Sequence, residues 1–451
     1  MVRAQGLTGD LAAAAAARMG ELSPGVDAEV HLISGRSRRL SRRDGRRDGL
    51  ESSETLGVGV RAVRDGRVGF ACGPAGSFEE LLSLWPLALA QLRCAEPEAA
   101  AALAAGAALP PPEPALAASL DDAALLERSW EDLESLLGEA EAEAASAGAL
   151  IVRSELSVQR ARAVTASTRG VLADETGSWV DASISAAESD GGRTQVGEGW
   201  RGARALSALD ARAAGREARA RAEAGIDGRR TRGGRRAVVF EPWVGAEILE
   251  ILAEMLSAEE AQRGRSLLAD RLGRRVASAL VALRDDPRRL GAYASSLFDD
   301  EGVPTQDKAL VEAGVLRGFL HDAATASRAG AASNGCGYRG SWSDLPSPGA
   351  SNFHLAPGPL SREALLSGTR DGVLVLELLG AHMIDPVSGE FSLGVSGREL
   401  DGGRLGRAFG GAMISGNLLD MLARVDAVAD DLAFYGVCGA PTFRVDGLDL
   451  A

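Results

Sequence analysis

Residues 298–320, FDDEGVPTQDKALVEAGVLRGFL, constrain the fold more than any other stretch of the chain. Asp299, Asp300, Glu301 and Gly302 spell an acidic turn, and Pro304 fixes its own φ just beyond it. Residues 309–312 read as a strand, Ala313-Gly314 as a tight turn, and residues 315–320 as the returning strand. Such a reversal builds antiparallel sheet. Several carboxylates stand within a few residues of His321; taken alone they read as turn formers and solvated charge.

The rest of the chain is read around this hairpin. Residues 8–22 form a helix stopped by Pro24-Gly25. Residues 28–34 and the hairpin 57–73 are strands. Residues 77–94 are helical, with Ser77 as N-cap and Glu79 and Glu80 in the first turn. The Ala/Pro/Glu stretch 95–118, with Pro110-Pro111-Pro112, reads as a surface linker. A helix is expected over 121–147, a strand meander over 149–192 and a helix over 205–224. Residues 225–235 read as a boundary, giving an N-terminal domain of 1–225 and a C-terminal domain of 226–451. The second half is strand-rich, with glycine turns at Asp371-Gly372 and Asp401-Gly402-Gly403 and a helix over 241–256. There is no regular βα repeat. The expected class is α+β, with helices on a mostly antiparallel N-terminal sheet and a strand-rich C-terminal half. The Gly-rich run 406–417 lacks the Gly-Lys-Ser/Thr ending of a phosphate loop and is expected to lead a strand into a helix over 417–428.

Charge and composition exclude some functions. A net charge of −14 disfavours nucleic acid and anionic membranes as partners. The Arg-rich islands 36–47 and 229–236 fit exposed strand or linker as well as they fit phosphate binding. No run is long enough to span a bilayer and no targeting segment is visible, so the expected location is cytoplasmic. Four widely spaced cysteines, with no CxxC pair, point to a reducing compartment. Cys336 lies among glycines and is expected to be exposed, though without an adjacent base to activate it. Cys438 reads as a small buried strand residue. The four histidines, His31, His321, His354 and His382, show no metal-ligand spacing.

The stretch FDDEGVPTQ…LVEAGVLRGFLHDAATASRAG…SNGCGYRG resembles the central signature of the TldD/PmbA family, known as modulators of DNA gyrase and as peptidases. Residues 57–71 are similar to the family's amino-terminal hairpin and residues 441–448 to its carboxy-terminal strand. TldD-like members carry HExxxH on a helix, with a later Cys as third zinc ligand, leaving an open position for an activated water. PmbA-like (TldE-like) members lack the motif and pair with the first kind. The corresponding helix here, 241–256, contains no histidine. Its Glu247, Glu250 and Glu254 share one side and read as a solvated face, although carboxylates can also hold a hard cation.

The resemblance therefore implies a zinc-free subunit, with zinc in a TldD-like partner, that helps enclose an unfolded or leader peptide. The expected wall residues are His321, Asn334, Gly335, Arg339 and His382, with Asn334 bonding peptide amides and Arg339 receiving a carboxylate. The alternative is an autonomous homodimeric amide or peptide hydrolase, with His321 or Cys336 in the chemistry, or a peptide-binding protein without the family zinc site.

Overall fold

The computed structural model describes residues 8–97, 102–106, 113–145, 149–190, 193–226 and 229–451. The fold is α+β. Helix α1 (Gly9–Leu22) begins where the Thr8 side chain caps Leu11 N, and it is followed by strands β1 (Asp27–Arg43), β2 (Arg46–Arg64) and β3 (Arg67–Gly73). Both hairpins turn on an Asp-Gly pair with positive φ, 50° and 70° at Asp44-Gly45 and 50° and 74° at Asp65-Gly66, which matches the twist of the flanking strands. The basic island 36–47 is thus mostly exposed strand and turn.

Ser77 caps α2 (Phe78–Ser83). The expected single helix is interrupted at Leu84, and α3 (Trp85–Cys94) starts with Pro86 in its first turn, where a missing N–H costs nothing. The expected linker is packed in part: α4 (Pro114–Leu120) buries Leu116 and Leu120 against Leu297, and Ala104 packs on Val171 and Ala323. Pro110-Pro111-Pro112 lies outside the described residues. The helix expected from 121 begins later, as α5 (Trp130–Ala144) behind a Ser129–Asp132 capping box. Asp121 instead makes two bonds to Arg160, at 2.7 and 2.8 Å, and Asp122 N donates to Ser178 Oγ at 2.7 Å, so this segment is held on the sheet.

The meander β4 (Leu150–Ser167), β5 (Leu172–Asp190) and β6 (Arg193–Ala203) completes an antiparallel sheet ordered β3-β2-β1-β4-β5-β6, followed by α6 (Ala211–Ile226). Even-numbered residues of β1 and β4 face the helices: α1–α3 cover Val30, Leu32 and Val164, and α5 and α6 cover Leu40, Leu156 and Val158. The opposite face carries Glu29, His31, Arg61 and Thr165 and meets the second half of the chain.

That half is built on two sheets. One is ordered β16-β15-β14-β7-β20-β17, from β7 (Gly234–Phe240), β14 (Asp371–Leu379), β15 (Glu390–Asp401), β16 (Arg404–Asn417), β17 (Val425–Val428) and β20 (Phe443–Leu450), and a further β16–β20 pairing closes five of its strands into a ring. The other is ordered β10-β9-β8-β13-β19-β18, from β8 (Leu283–Asp285), β9 (Lys308–Glu312), β10 (Val315–Leu316), β13 (Phe353–Leu355), β18 (Ala433–Tyr435) and β19 (Cys438–Ala440). A two-stranded ribbon, β11 (Gly337–Tyr338) with β12 (Ser347–Pro348), stands beside them. Helix α7 (Pro242–Met255) packs Val244, Ile248 and Leu252 into the shared core. Short helices α8 (Ala258–Gln262), α9 (Ala323–Arg328), α10 (Arg362–Ser367) and α11 (Leu418–Ala423) fill connections. The Ala313-Gly314 turn has φ 47° and 76°, and Asp401-Gly402-Gly403 also turns a hairpin. Asp371-Gly372 does not: it opens β14, where Gly372 pairs with Ala237 in a parallel ladder. The Gly-rich run is strand β16, and Asn417 caps the shorter helix α11.

Glycines set the distance between β6 and α6. A Cβ on Gly199 would stand 1.9 Å from Ala214 O, and one on Gly197 2.2 Å from Ala218 O. Gly199→Ala is expected to lower stability by about 1–3 kcal/mol through overpacking. Gly138→Ala within α5, whose added methyl meets nothing within 4 Å, is expected to raise stability by about 0.5–1 kcal/mol. Urea midpoints at unchanged m-value check both.

Candidate functional site

The acidic turn is buried. Asp299 folds back on its own loop: Oδ1 accepts from Glu301 N (3.0 Å) and Val303 N (2.8 Å), and Oδ2 accepts from Gly337 N (2.8 Å). Gly302 takes φ +77° to close the turn. Asp300 Oδ2 accepts from Arg339 N (2.8 Å), and Asp300 N donates to Gly337 O (2.9 Å). The expectation of solvated charge is therefore corrected: Glu301 is fully buried and Asp299 4% exposed, because the turn is inserted between the two halves of the chain.

Two arginines meet it there. Arg61 donates to Glu29 through Nε (3.1 Å) and Nη2 (2.7 Å), and Nη2 also reaches Glu301 (2.8 Å). Arg339 Nη2 donates to Glu29 at 2.6 Å. The second Glu301 oxygen accepts from Ala323 N (2.6 Å). Burial works against the Arg61 charge, but Glu29 and Glu301 together hold its guanidinium above the ordinary value. Burial raises the Asp299 carboxyl, with Glu301 adding to the effect, and burial also raises Asp300 and Glu301. His31 Nδ1 lies 2.8 Å from Thr165 Oγ1, which donates to Asp300 O (3.1 Å). Burial first, then the Arg339 and Arg61 charges, pushes His31 well down, so it is neutral.

Three of the five expected wall residues come together. His321 follows β10, and its N donates to Asn334 Oδ1 at 2.8 Å, while Asn334 Nδ2 donates to Phe319 O at 2.8 Å. Both ends of the Asn334 amide are thus bonded to backbone. Gly335, at φ +72°, passes Pro304 O so closely that a Cβ would lie 2.7 Å from it. The His321 ring is half-buried, its Nδ1 has no partner, and burial lowers its pKa. Arg339 lies on the far side of the acidic turn with its side chain bonded to Glu29 and to Asp344 O. His382 is exposed on a 3₁₀ turn, Ala381–Met383, that touches α7. Cys336 is buried rather than exposed, because its thiol turns inward to Asp285 in the shared core, and burial pushes it up to about 12.

Helix α7 borders a groove of about 330 Å³ lined by Glu250, Ala253, Glu254, Ser347, Pro348 and Cys438 among others. Burial, then Glu250, raises Glu247 to about 7, and its buried Oε2 has no partner, so this side of the helix is not uniformly solvated. Burial holds the Cys438 thiol well above its ordinary value, with Glu250 adding to the effect. Among the described residues, no three His, Cys, Asp or Glu side chains converge as a bound ion requires. Without an imidazole on the helix, a lone thiol beside carboxylates does not fit the donor set of a catalytic zinc.

A cavity of about 310 Å³ opens between the uncovered sheet face and residues 294–300. The sequence reading missed it, since its residues come from β1, β4, β5 and the loop before the acidic turn. Burial, opposed by a bond from Leu297 N, raises its Glu175 to about 7, and burial lowers Arg204 to about 10.

Sequence comparison matches residues 233–451 to the PmbA/TldA metallopeptidase C-terminal domain and residues 28–85 to PmbA/TldA metallopeptidase domain 1. A metalloprotease of Methanocaldococcus jannaschii is 33% identical over 209 residues, 46% of each chain. A metalloprotease PmbA homolog of Haemophilus influenzae is 32% identical over 198 residues, 43% of this chain and 41% of that one. The match thus spans less than half the length of these curated relatives. Among solved structures, a putative modulator of a DNA gyrase from Thermotoga maritima superposes with TM-score 0.86 at 25% identity, covering 97% of this chain and 99% of that one. TldE from Thermococcus kodakarensis superposes with TM-score 0.86 at 20% identity, covering 97% and 98%, and shows the same fold.

Two outcomes follow from this geometry. Arg61→Met leaves Glu29 and Glu301 short of their shared cation and is expected to cost about 3–5 kcal/mol of stability in urea unfolding. Glu175 holds its proton more tightly folded than unfolded, so its contribution is present below its ordinary value of 4.5 and is lost as pH rises through about 7. Stability curves of wild type and Glu175→Gln are expected to diverge over that window, with the wild type losing the more.

Proposed function

Because the chain belongs to the PmbA/TldD metallopeptidase family, we propose that it is the zinc-free member of a two-subunit peptidase. It pairs with a zinc-bearing homologue of the TldD kind and helps enclose an unfolded or leader peptide. The reading is supported chiefly by α7, which carries no imidazole and lies beside the buried, protonated Cys438. The α7 groove is bordered by β12, a strand with one partner, and an extended peptide added there gains backbone hydrogen bonds without demanding a particular sequence. His382, which is exposed, and His321, which is partly exposed, are the wall residues left open to such a peptide. Asn334, Gly335 and Arg339 serve the wall by holding its backbone in place. Four free cysteines suit a cytoplasmic setting.

The test is zinc content and cleavage of fluorescein-labelled unfolded casein by the purified chain, alone and mixed with a zinc-motif homologue. The chain alone is expected to hold no stoichiometric zinc and to cleave nothing, and the mixture to cleave. Zinc or cleavage with this chain alone would favour an autonomous hydrolase. A homologue that cleaves equally well without it would remove the partner role.

A further inference from the structure

We propose that the cavity between the uncovered sheet face and residues 294–300 binds a primary ammonium group on an aliphatic arm, the chemistry shared by a lysine side chain and a peptide amino terminus. At about 310 Å³, it is at the small end of ligand-site volumes, about 300–1,000 Å³. Ile33, Ala161 and Ala163 give it an apolar floor, and Trp179 and Phe298 give it aromatic walls. These suit methylene groups.

The polar side is unfinished. Glu175 Oε2 accepts from Leu297 N, and among the described residues no cation lies within ion-pair distance of the carboxylate. A half-buried carboxylate without a paired cation is costly and is relieved by a positive ligand. Arg204, the nearest cation, lies flat on Trp179 at 4.2 Å, and its N–H groups end on the carbonyls of Ser178, Ala292 and Ser295. Three of its N–H groups are taken by carbonyls, and it makes no hydrogen bond to the carboxylate. Tyr338 and Ser296 also line the cavity, with their hydroxyls buried against each other. An ammonium has three donors and no acceptor, and the carboxylate supplies both an acceptor and the opposite charge. An anion would instead meet Glu175 and Asp300. The site belongs to this chain alone, so its test is independent of any partner subunit.

The test is calorimetric titration of the full chain with three tripeptides: Ac-Ala-Lys-Ala-NH2, which offers only a side-chain ammonium; Ala-Nle-Ala-NH2, which offers only a terminal one; and Ac-Ala-Nle-Ala-NH2, which offers neither. At least one charged peptide is expected to bind about tenfold or more tighter than the neutral one, the scale of one charge-assisted contact. Which of the two binds identifies the source. Glu175→Gln keeps an acceptor for Leu297 N and removes the charge. Ala163→Leu keeps the charge and fills the floor. Each is expected to weaken binding about tenfold or more, and Ala163→Leu to do so at an unchanged melting temperature. Equal binding of the neutral peptide, no binding by any peptide, or unchanged binding in Glu175→Gln would overturn the assignment.

Discussion

The two halves of the chain are joined through a lattice of buried charge: Glu29 and Arg61 from the first sheet, Glu301 from the acidic turn, and Arg339 from the loop beyond it. Each arginine is shared and each carboxylate is bonded more than once, so no member can leave without stranding another. Such a lattice is a poor source of net stability compared with apolar packing, but it is demanding about geometry. It fixes where the acidic turn sits on the sheet, and the turn in turn fixes the loop that carries His321, Asn334 and Gly335. Trp342 adds an apolar clasp, its ring lying where a side chain on Gly57 would be. The signature thus acts as the hinge-pin of the architecture. Its acids hold backbone and counter-charge, and the groove along α7 and the cavity on the uncovered sheet face are formed by other residues.

Much of this arrangement was legible in the sequence, and the reasons differ by residue. The Asp-Gly and Ala-Gly turns announced hairpins because few residues tolerate their backbone angles. Ser77 and Pro24-Gly25 marked helix ends by the same local chemistry. The central hairpin and the order of three motifs identified the family. What stayed hidden was long-range. Nothing near Asp299–Glu301 says that Arg61, 240 residues before Glu301 in the chain, will neutralise it. The acids therefore read as solvated when they are buried. Cys336 looked exposed among its glycines because glycine suggests a loop, whereas the thiol turns inward to Asp285 and its neighbouring glycines let the backbone press on Pro304 and Glu301. Asp371-Gly372 looked like a turn because its tertiary context, a parallel ladder with β7, is invisible locally. The cavity around Glu175 was unreadable for the same reason, being assembled from three strands and a distant loop.

One residue gives the chain an unusual chemical exterior. Lys308 is the only lysine in the sequence, and it is buried, its ammonium 2.9 Å from Asp285. Positive charge on the surface is therefore carried by arginine. Enzymes that acetylate, methylate or ubiquitinate lysine side chains find no exposed lysine on this folded chain. Chemistry at Lys308 is closed off unless the fold first opens around Asp285.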